Sequence, residues 1–234
     1  MEKLSDSKGE TQVTRNRVIS VTTDASGAYH AACSGQVVVI VDVIDMSTTL
    51  EVALQEGAAL VLGASPVSCR APVPVNPAAI GKYAAVMADE LDTEVVVIAE
   101  PRIGRSAERQ ERAEGFLKGL HAEGIKEAGI YPNQGAETAK LVDFKDKIVV
   151  AVTDCGGAAF DTAFNAGAPV LTGTVARTPG CTGWKNAAKA IERASEIAED
   201  EGRGIALVAA SGKALEDVLA TYYLSEHFLL QRFY

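Results

Sequence analysis

Two kinds of hydrophobic pattern alternate along the chain. Unbroken apolar runs rich in Val and Ile predict strands buried on both faces; they include VVVIV at 37–41, EVVVIA at 94–99 and KIVVAV at 147–152. The predicted strands are Val18–Thr22, Val37–Val43, Ala59–Gly63, Glu94–Ala99, Ala128–Tyr131, Lys147–Thr153, Pro169–Gly173 and Gly204–Ala209. Between them, apolar residues recur at helical spacing. The predicted helices are Met46–Glu56, Pro77–Leu91, Ser106–Glu123, Ala136–Val142, Ala158–Ala166, Thr182–Glu201 and Ala214–Gln231. Asn76 followed by Pro77 is a cap followed by a first-turn proline, and Gly57 and Gly167 look like helix stops. Strand and helix in alternation imply an α/β fold, a three-layer α/β/α sandwich with a largely parallel or mixed sheet. Residues 1–16 are polar and read as a flexible N-terminal segment, and 17–234 as a single α/β domain, although length alone would also allow two.

In open α/β sheets, ligands bind beyond the carboxyl ends of the strands. The polar residues at those ends are therefore the candidate site. Asp42 interrupts an apolar run and is followed by Asp45 and by Ser47, Thr48 and Thr49 at a helix start. A carboxylate there can hold a divalent cation or attack phosphorus. The hydroxyls can bind an anion with the help of the helix dipole, or simply cap the helix. Glu100-Pro101-Arg102 follows the fourth strand, and Arg102 can reach an anion there, as can Arg177 after the seventh. Arg105, Arg109 and Arg112 stand at helical spacing with interleaved glutamates and read as a solvated face. Asp154-Cys155-Gly156-Gly157 ends the sixth strand; the glycines allow close approach of a ligand, and Cys155 lies where a thiolate is favoured or is a small space-filling residue. Glu216 and Asp217 open the last helix, where acidic residues suit the dipole or supply a further metal carboxylate.

Composition narrows the partners. The 234 residues carry a formal net charge of −9, and no segment is rich in Lys or Arg, so nucleic acid is a poor partner. No apolar run approaches the roughly 20 residues that span a bilayer, and the N-terminus lacks the apolar centre of a signal peptide. The chain reads as a cytoplasmic protein without a membrane partner. Its four cysteines form no CxxC pair and its three histidines have no ligand spacing, which disfavours structural zinc.

Taken in order, these positions resemble the 2-phosphosulfolactate phosphatase family. DVIDMSTTL stands where that family has a pattern like D-V-L-R-A-[ST]-T-T, TDCGG where it has T-T-N-G-T, and ALEDVLATYYL where it has S-L-E-D-x-L-x-A-G-A. Glu100 to Arg102 and Pro132-Asn133-Gln134 are weaker matches. The resemblance implies an α/β/α sandwich and a Mg2+-dependent phosphatase acting on a small phosphorylated, sulfonated acid on a route to coenzyme M. It implies Asp42 as nucleophile or metal ligand with Glu216 as a second metal carboxylate. Ser47, Thr48, Thr49, Gly156, Gly157, Arg102 and Arg177 would then hold the anionic substrate, with Asp45, Asp154 and Cys155 in the same site. The chain departs from the family at Asp45, where the arginine is replaced, and at Asp154 and Cys155. Two alternatives follow: altered chemistry at Asp45, Asp154 and Cys155 on a different small molecule, or a non-catalytic ligand-binding relative. The aromatic-rich C-terminus, YYLSEHFLLQRFY, leaves room for a homo-oligomer.

Overall fold

The computed structural model describes residues 18–44 and 46–231. The segment 1–16 and Asp45 lie outside the described residues. Among the described residues there are eight strands: β1 (Ile19–Thr23), β2 (Val37–Val41), β3 (Leu60–Ala64), β4 (Val95–Ala99), β5 (Gly129–Pro132), β6 (Ile148–Val152), β7 (Val170–Gly173) and β8 (Ile205–Ala209). Seven α-helices accompany them: α1 (Asp24–Cys33), α2 (Met46–Gln55), α3 (Pro77–Glu90), α4 (Ser106–Ala122), α5 (Cys155–Asn165), α6 (Gly183–Asp200) and α7 (Leu215–Gln231). The fold is α/β with helices layered against parallel sheets, as the α/β/α expectation has it.

The strands divide between two four-stranded sheets, β1-β8-β2-β7 and β3-β6-β4-β5, and every pairing within them is parallel. Strand periodicity cannot reveal this division, because a parallel strand buried on both faces reads the same in either sheet. The chain lays down β1 and β2, crosses to build β3 through β6, and returns for β7 and β8. Helix α2 is the outward crossover and α5 the return. Each packs on strands of both sheets. One core joins the β2 and β8 face bearing Val38, Ile40, Ala206 and Val208 to the second sheet. The opposite face, with Val39, Val41 and Leu207, is covered by Ala187, Ala190 and Ile191 of α6 and by Ala220, Leu224 and Phe228 of α7.

Three sequence expectations are corrected. Helix α1, DASGAYHAAC, is absent from the predicted elements. Its buried face is all alanine (Ala25, Ala28, Ala31, Ala32), and Ser26 and Gly27 blur the pattern, so hydrophobic contrast is low. The predicted helix 136–142 is a 3-10 turn at Gly135–Lys140. Helix α5 begins at Cys155, which puts Gly156 and Gly157 inside its first turn and not in a loop before it.

Candidate functional site

Register fixes what lies at the strand ends. Thr23, Ala209, Val41 and Gly173 align across the first sheet, and Ala64, Val152, Ala99 and Pro132 across the second. The next residues form two rows, polar at every position but Ala210: Asp24, Ala210, Asp42 and Thr174, then Ser65, Thr153, Glu100 and Asn133. The first turns of α2 and α5 join the rows. On α2, Thr48 bonds to Thr174 beyond β7 (2.8 Å) and Thr49 to Asn133 beyond β5 (2.6 Å). On α5, Gly157 packs on the carbonyl of Ala64 at the end of β3, and Gly156 on the carboxylate of Asp42.

Asp42 is thus held at the seam between the sheets, 7% exposed, against the N-terminal turn of α5. A helix N-terminus favours the negative charge there. Its backbone N–H donates to the Ser47 hydroxyl (3.0 Å), which in turn donates to the Ile40 carbonyl (2.8 Å).

The three hydroxyls therefore correct the expectation of an anion cradle. Ser47 and Thr49 are fully buried, and Thr48 nearly so. The Ser47 proton goes to Ile40, that of Thr49 to Asn133, and Thr48 bonds to Val43 and Thr174. They staple strand ends together, which satisfies backbone and side-chain groups that would otherwise be buried without partners.

The last helix also differs by one residue from the sequence expectation. Asp217, 4% exposed, accepts the N–H of Val43 through Oδ1 at 2.9 Å. Glu216 is exposed and lines an apolar groove with Trp184 and Tyr223. Buried positions 217, 220, 221, 224 and 228 define the inner face of α7. A carboxylate in that register is the signal that separates Asp217 from Glu216.

The arginines divide as follows. Arg102 donates from Nε to the Asn133 carbonyl (3.0 Å) and from Nη2 to the Ile44 carbonyl (3.3 Å), bridging the loops beyond β2, β4 and β5. Arg177 is exposed in the loop between β7 and α6. Arg112, read from sequence as part of a solvated face, reaches Asp154 at 2.8 Å and Glu100 at 3.2 Å. It is a site residue that helical spacing could not reveal, because its reach depends on where α4 lies across the sheet.

Beside Asp154 is a cavity of about 280 Å³ lined by Asp24, Cys69, Arg70, Asp154, Cys155 and Ala210 among others. The N-termini of α1 and α5 both open onto it. The wall that carries Cys69 and Arg70 is the loop between β3 and α3. Asp161 of α5, fully buried, holds that loop at both ends: Oδ2 accepts the Ser65 hydroxyl (2.6 Å) and Oδ1 accepts the Asn76 N–H (2.6 Å). Burial raises the Asp161 pKa, against the opposing pull of these hydrogen bonds.

Burial also pushes the Cys155 thiol up, and the carboxylates of Asp42, Asp154, Asp217 and Asp24 raise it further. Burial first, and the surrounding negative charge after it, thus oppose the thiolate that the sequence position at the start of α5 suggests. Asp42→Asn removes the carboxylate among the four that acts most on the thiol. Alkylation of Cys155, followed by peptide mass mapping at pH 8, is expected to quicken several-fold in that variant. An unchanged rate would place Asp42 and Cys155 in separate environments.

The glycines make a second pair of expectations. A methyl at Gly157 would overlap the Ala64 carbonyl oxygen, which is backbone and cannot move away cheaply. Gly157→Ala is expected to cost about 3 kcal/mol, a fall of roughly 6–12 °C in Tm for a domain of this size. A methyl at Gly156 would meet the Asp42 carboxylate, a side chain that can rotate, and would lie 2.9 Å from the Met46 Cβ, where no peptide group has to move. Gly156→Ala is expected to lower Tm by less than half as much while displacing Asp42. Equal thermal shifts in the two variants would contradict this packing.

For a divalent cation, the donor chemistry fits. Mg2+ is commonly held by one or two carboxylates, with substrate oxygens and water completing its shell. Asp42 precedes Val43 in the chain and Asp217 accepts the Val43 N–H, so two carboxylates of that kind stand on the Val43 backbone. Among the described residues, no group of three or more His, Cys, Asp or Glu side chains could hold a metal ion by itself. No helix among them is long and apolar enough to cross a membrane. No protein-family model matches the chain, and no curated protein matches it.

Proposed function

We propose that this chain is a cytoplasmic Mg2+-assisted hydrolase that releases phosphate from a small phosphorylated acid, the reaction class implied by its resemblance to 2-phosphosulfolactate phosphatases. The observation that carries the reading is the placement of Asp42: a nearly buried carboxylate at the seam of two parallel sheets, in contact with Gly156 in the first turn of α5. In the reaction, water is consumed: phosphorus accepts an oxygen from water, or from the Asp42 carboxylate whose acyl phosphate water then hydrolyses, the ester P–O bond breaks, and the leaving alkoxide takes a proton that comes from that water. Asp42 either attacks phosphorus or holds the cation, and Asp217 is the second carboxylate. Arg70 and the N-termini of α1 and α5 face the cavity where the anionic groups of the substrate would bind. Arg112 fixes Asp154 at the rim. Mg2+, when bound, would neutralise developing charge on the phosphoryl oxygens.

A second reading has one specific observation in its favour. Four carboxylates, those of Asp42, Asp154, Asp217 and Asp24, act together on Cys155. A field of that sign suits a neutral or cationic small molecule better than a dianion.

Phosphate release from a panel of small phosphorylated acids, including 2-phospho-3-sulfolactate, with and without Mg2+, separates the two. Mg2+-dependent release from any member supports the phosphatase reading. No release from folded protein overturns it and leaves the second reading, for which thermal stabilisation by neutral or cationic small molecules is the next measurement.

A further inference from the structure

Helix α7 is apolar on two faces. Its inner face, through Ala220, Leu224 and Phe228, packs on the first sheet. Its outer face carries Leu215, Leu219, Tyr222, Tyr223, Leu229 and Leu230, each between 43 and 66% exposed. Positions 215, 219, 222, 226 and 229 follow the 4-3-4-3 spacing of a helix–helix seam. A helix that is hydrophobic on both sides is normally buried on both sides. Monomeric proteins rarely leave a contiguous apolar patch of this kind in water.

The geometry points to a second copy of this chain as the occupant, with two α7 helices packed antiparallel about a two-fold axis between Tyr222 and Tyr223. A two-fold interface must be self-complementary, and this stripe is. With the axis there, Leu215 meets Leu230 of the partner subunit, Tyr222 meets Tyr223 of the partner subunit, and Leu219 meets Glu226 of the partner subunit. The one charged position on the seam then finds a cation. Trp184 lines a groove of about 440 Å³ with Leu219 and Tyr223, and Lys185 lies 5.6 Å from the centre of the Trp184 ring. Glu226 arriving over Leu219 comes beside Lys185. The seven exposed apolar side chains, Trp184 included, present on the order of 800 Å² per copy, which is about what one partner buries in a standard stable interface. The groove also touches Val43, whose N–H is held by Asp217. Association therefore clamps the helix that brings Asp217 to the strand ends.

The full chain is tested by light scattering after gel filtration and by analytical ultracentrifugation, with circular dichroism as the check on folding. Wild type is expected at twice the 24.5 kDa chain mass. Leu219→Glu places like charges face to face and is expected at a single chain mass. Leu219→Lys exposes the same helix face but attracts Glu226, and is expected to stay dimeric. A monomeric wild type, or a folded Leu219→Glu that remains dimeric, overturns the interface. A monomeric Leu219→Lys overturns the antiparallel register.

Discussion

Replacing Asp42 with Asn is expected to lower Mg2+-dependent phosphate release roughly a thousandfold while leaving the fold in place. Asn keeps the shape of the side chain and its fit against Gly156. It removes the charge that would attack phosphorus or hold the cation. The lost charge at the N-terminus of α5 costs about 0.3–1 kcal/mol, which by itself moves Tm by no more than about 4 °C. Rates measured over a series of Mg2+ concentrations divide the two roles. If Asp42 holds the cation, excess Mg2+ restores part of the rate. If it attacks phosphorus, no concentration does. A folded variant with the parent rate would remove Asp42 from the chemistry and the phosphatase reading with it.

Replacing Arg193 with Met is expected to be the most damaging single change away from the site. Glu51 of α2 is 1% exposed, and its carboxylate accepts Nη2 of Arg193 on α6 at 2.6 Å and the Thr172 hydroxyl of β7 at 2.8 Å. Without Arg193 a carboxylate stays buried without its counter-charge, at a cost of about 3–5 kcal/mol. At roughly 2–4 °C per kcal/mol, Tm falls by about 10 °C at neutral pH. The sign of the pH dependence follows from burial. Desolvation already raises the Glu51 pKa in the folded protein, with Arg193 and Thr172 pulling the other way. Removing Arg193 raises it further. A carboxyl whose folded pKa lies above its unfolded value is best tolerated below the unfolded value, and the folded state loses stability as pH rises through the folded one. The gap between variant and parent is therefore widest near pH 7. It narrows on acidification toward the ordinary glutamate range, near pH 4.3. Adding Glu51→Gln to the variant is expected to recover most of the loss at neutral pH, because the uncompensated charge is gone. Urea denaturation of the parent and both variants across pH 4–8 reads all of this directly. A gap that stays constant with pH would show that packing, not charge, sets the cost.

Much of the architecture was legible because its signals are local. VVVIV, VVVIA and IVVAV read as strands for the reason they are strands: parallel strands covered on both faces must be apolar at every position. Asn76 caps α3 by accepting the Ala79 N–H, and Pro77 opens its first turn, as the dipeptide implies. Asp42 stood out because a carboxylate ending an apolar run needs a reason to be there. Helix α1 escaped because alanine on its buried face differs too little from its neighbours to make a stripe.

What tertiary structure decided is everything that depends on which elements meet. Residue order could not divide the strands between two sheets, since β2 and β6 are alike in pattern and differ only in the strands they pair with. The fate of Ser47, Thr48 and Thr49 turned on partners as distant in sequence as Asn133 and Thr174, which make them staples and not an anion cradle. Arg112 became a partner of Asp154 only because the second sheet sets β4, on which α4 packs, next to β6. Asp217, and not Glu216, reaches the strand ends through a helix phase that packing on the first sheet sets. By itself the sequence determined most of the segments that become strands and helices and which polar residues end them, because propensity and periodicity act over a few residues. The close approach of α5 to β3 and Asp42, and the cavity beside it, required the assembled sheets, because those contacts join residues far apart in the chain.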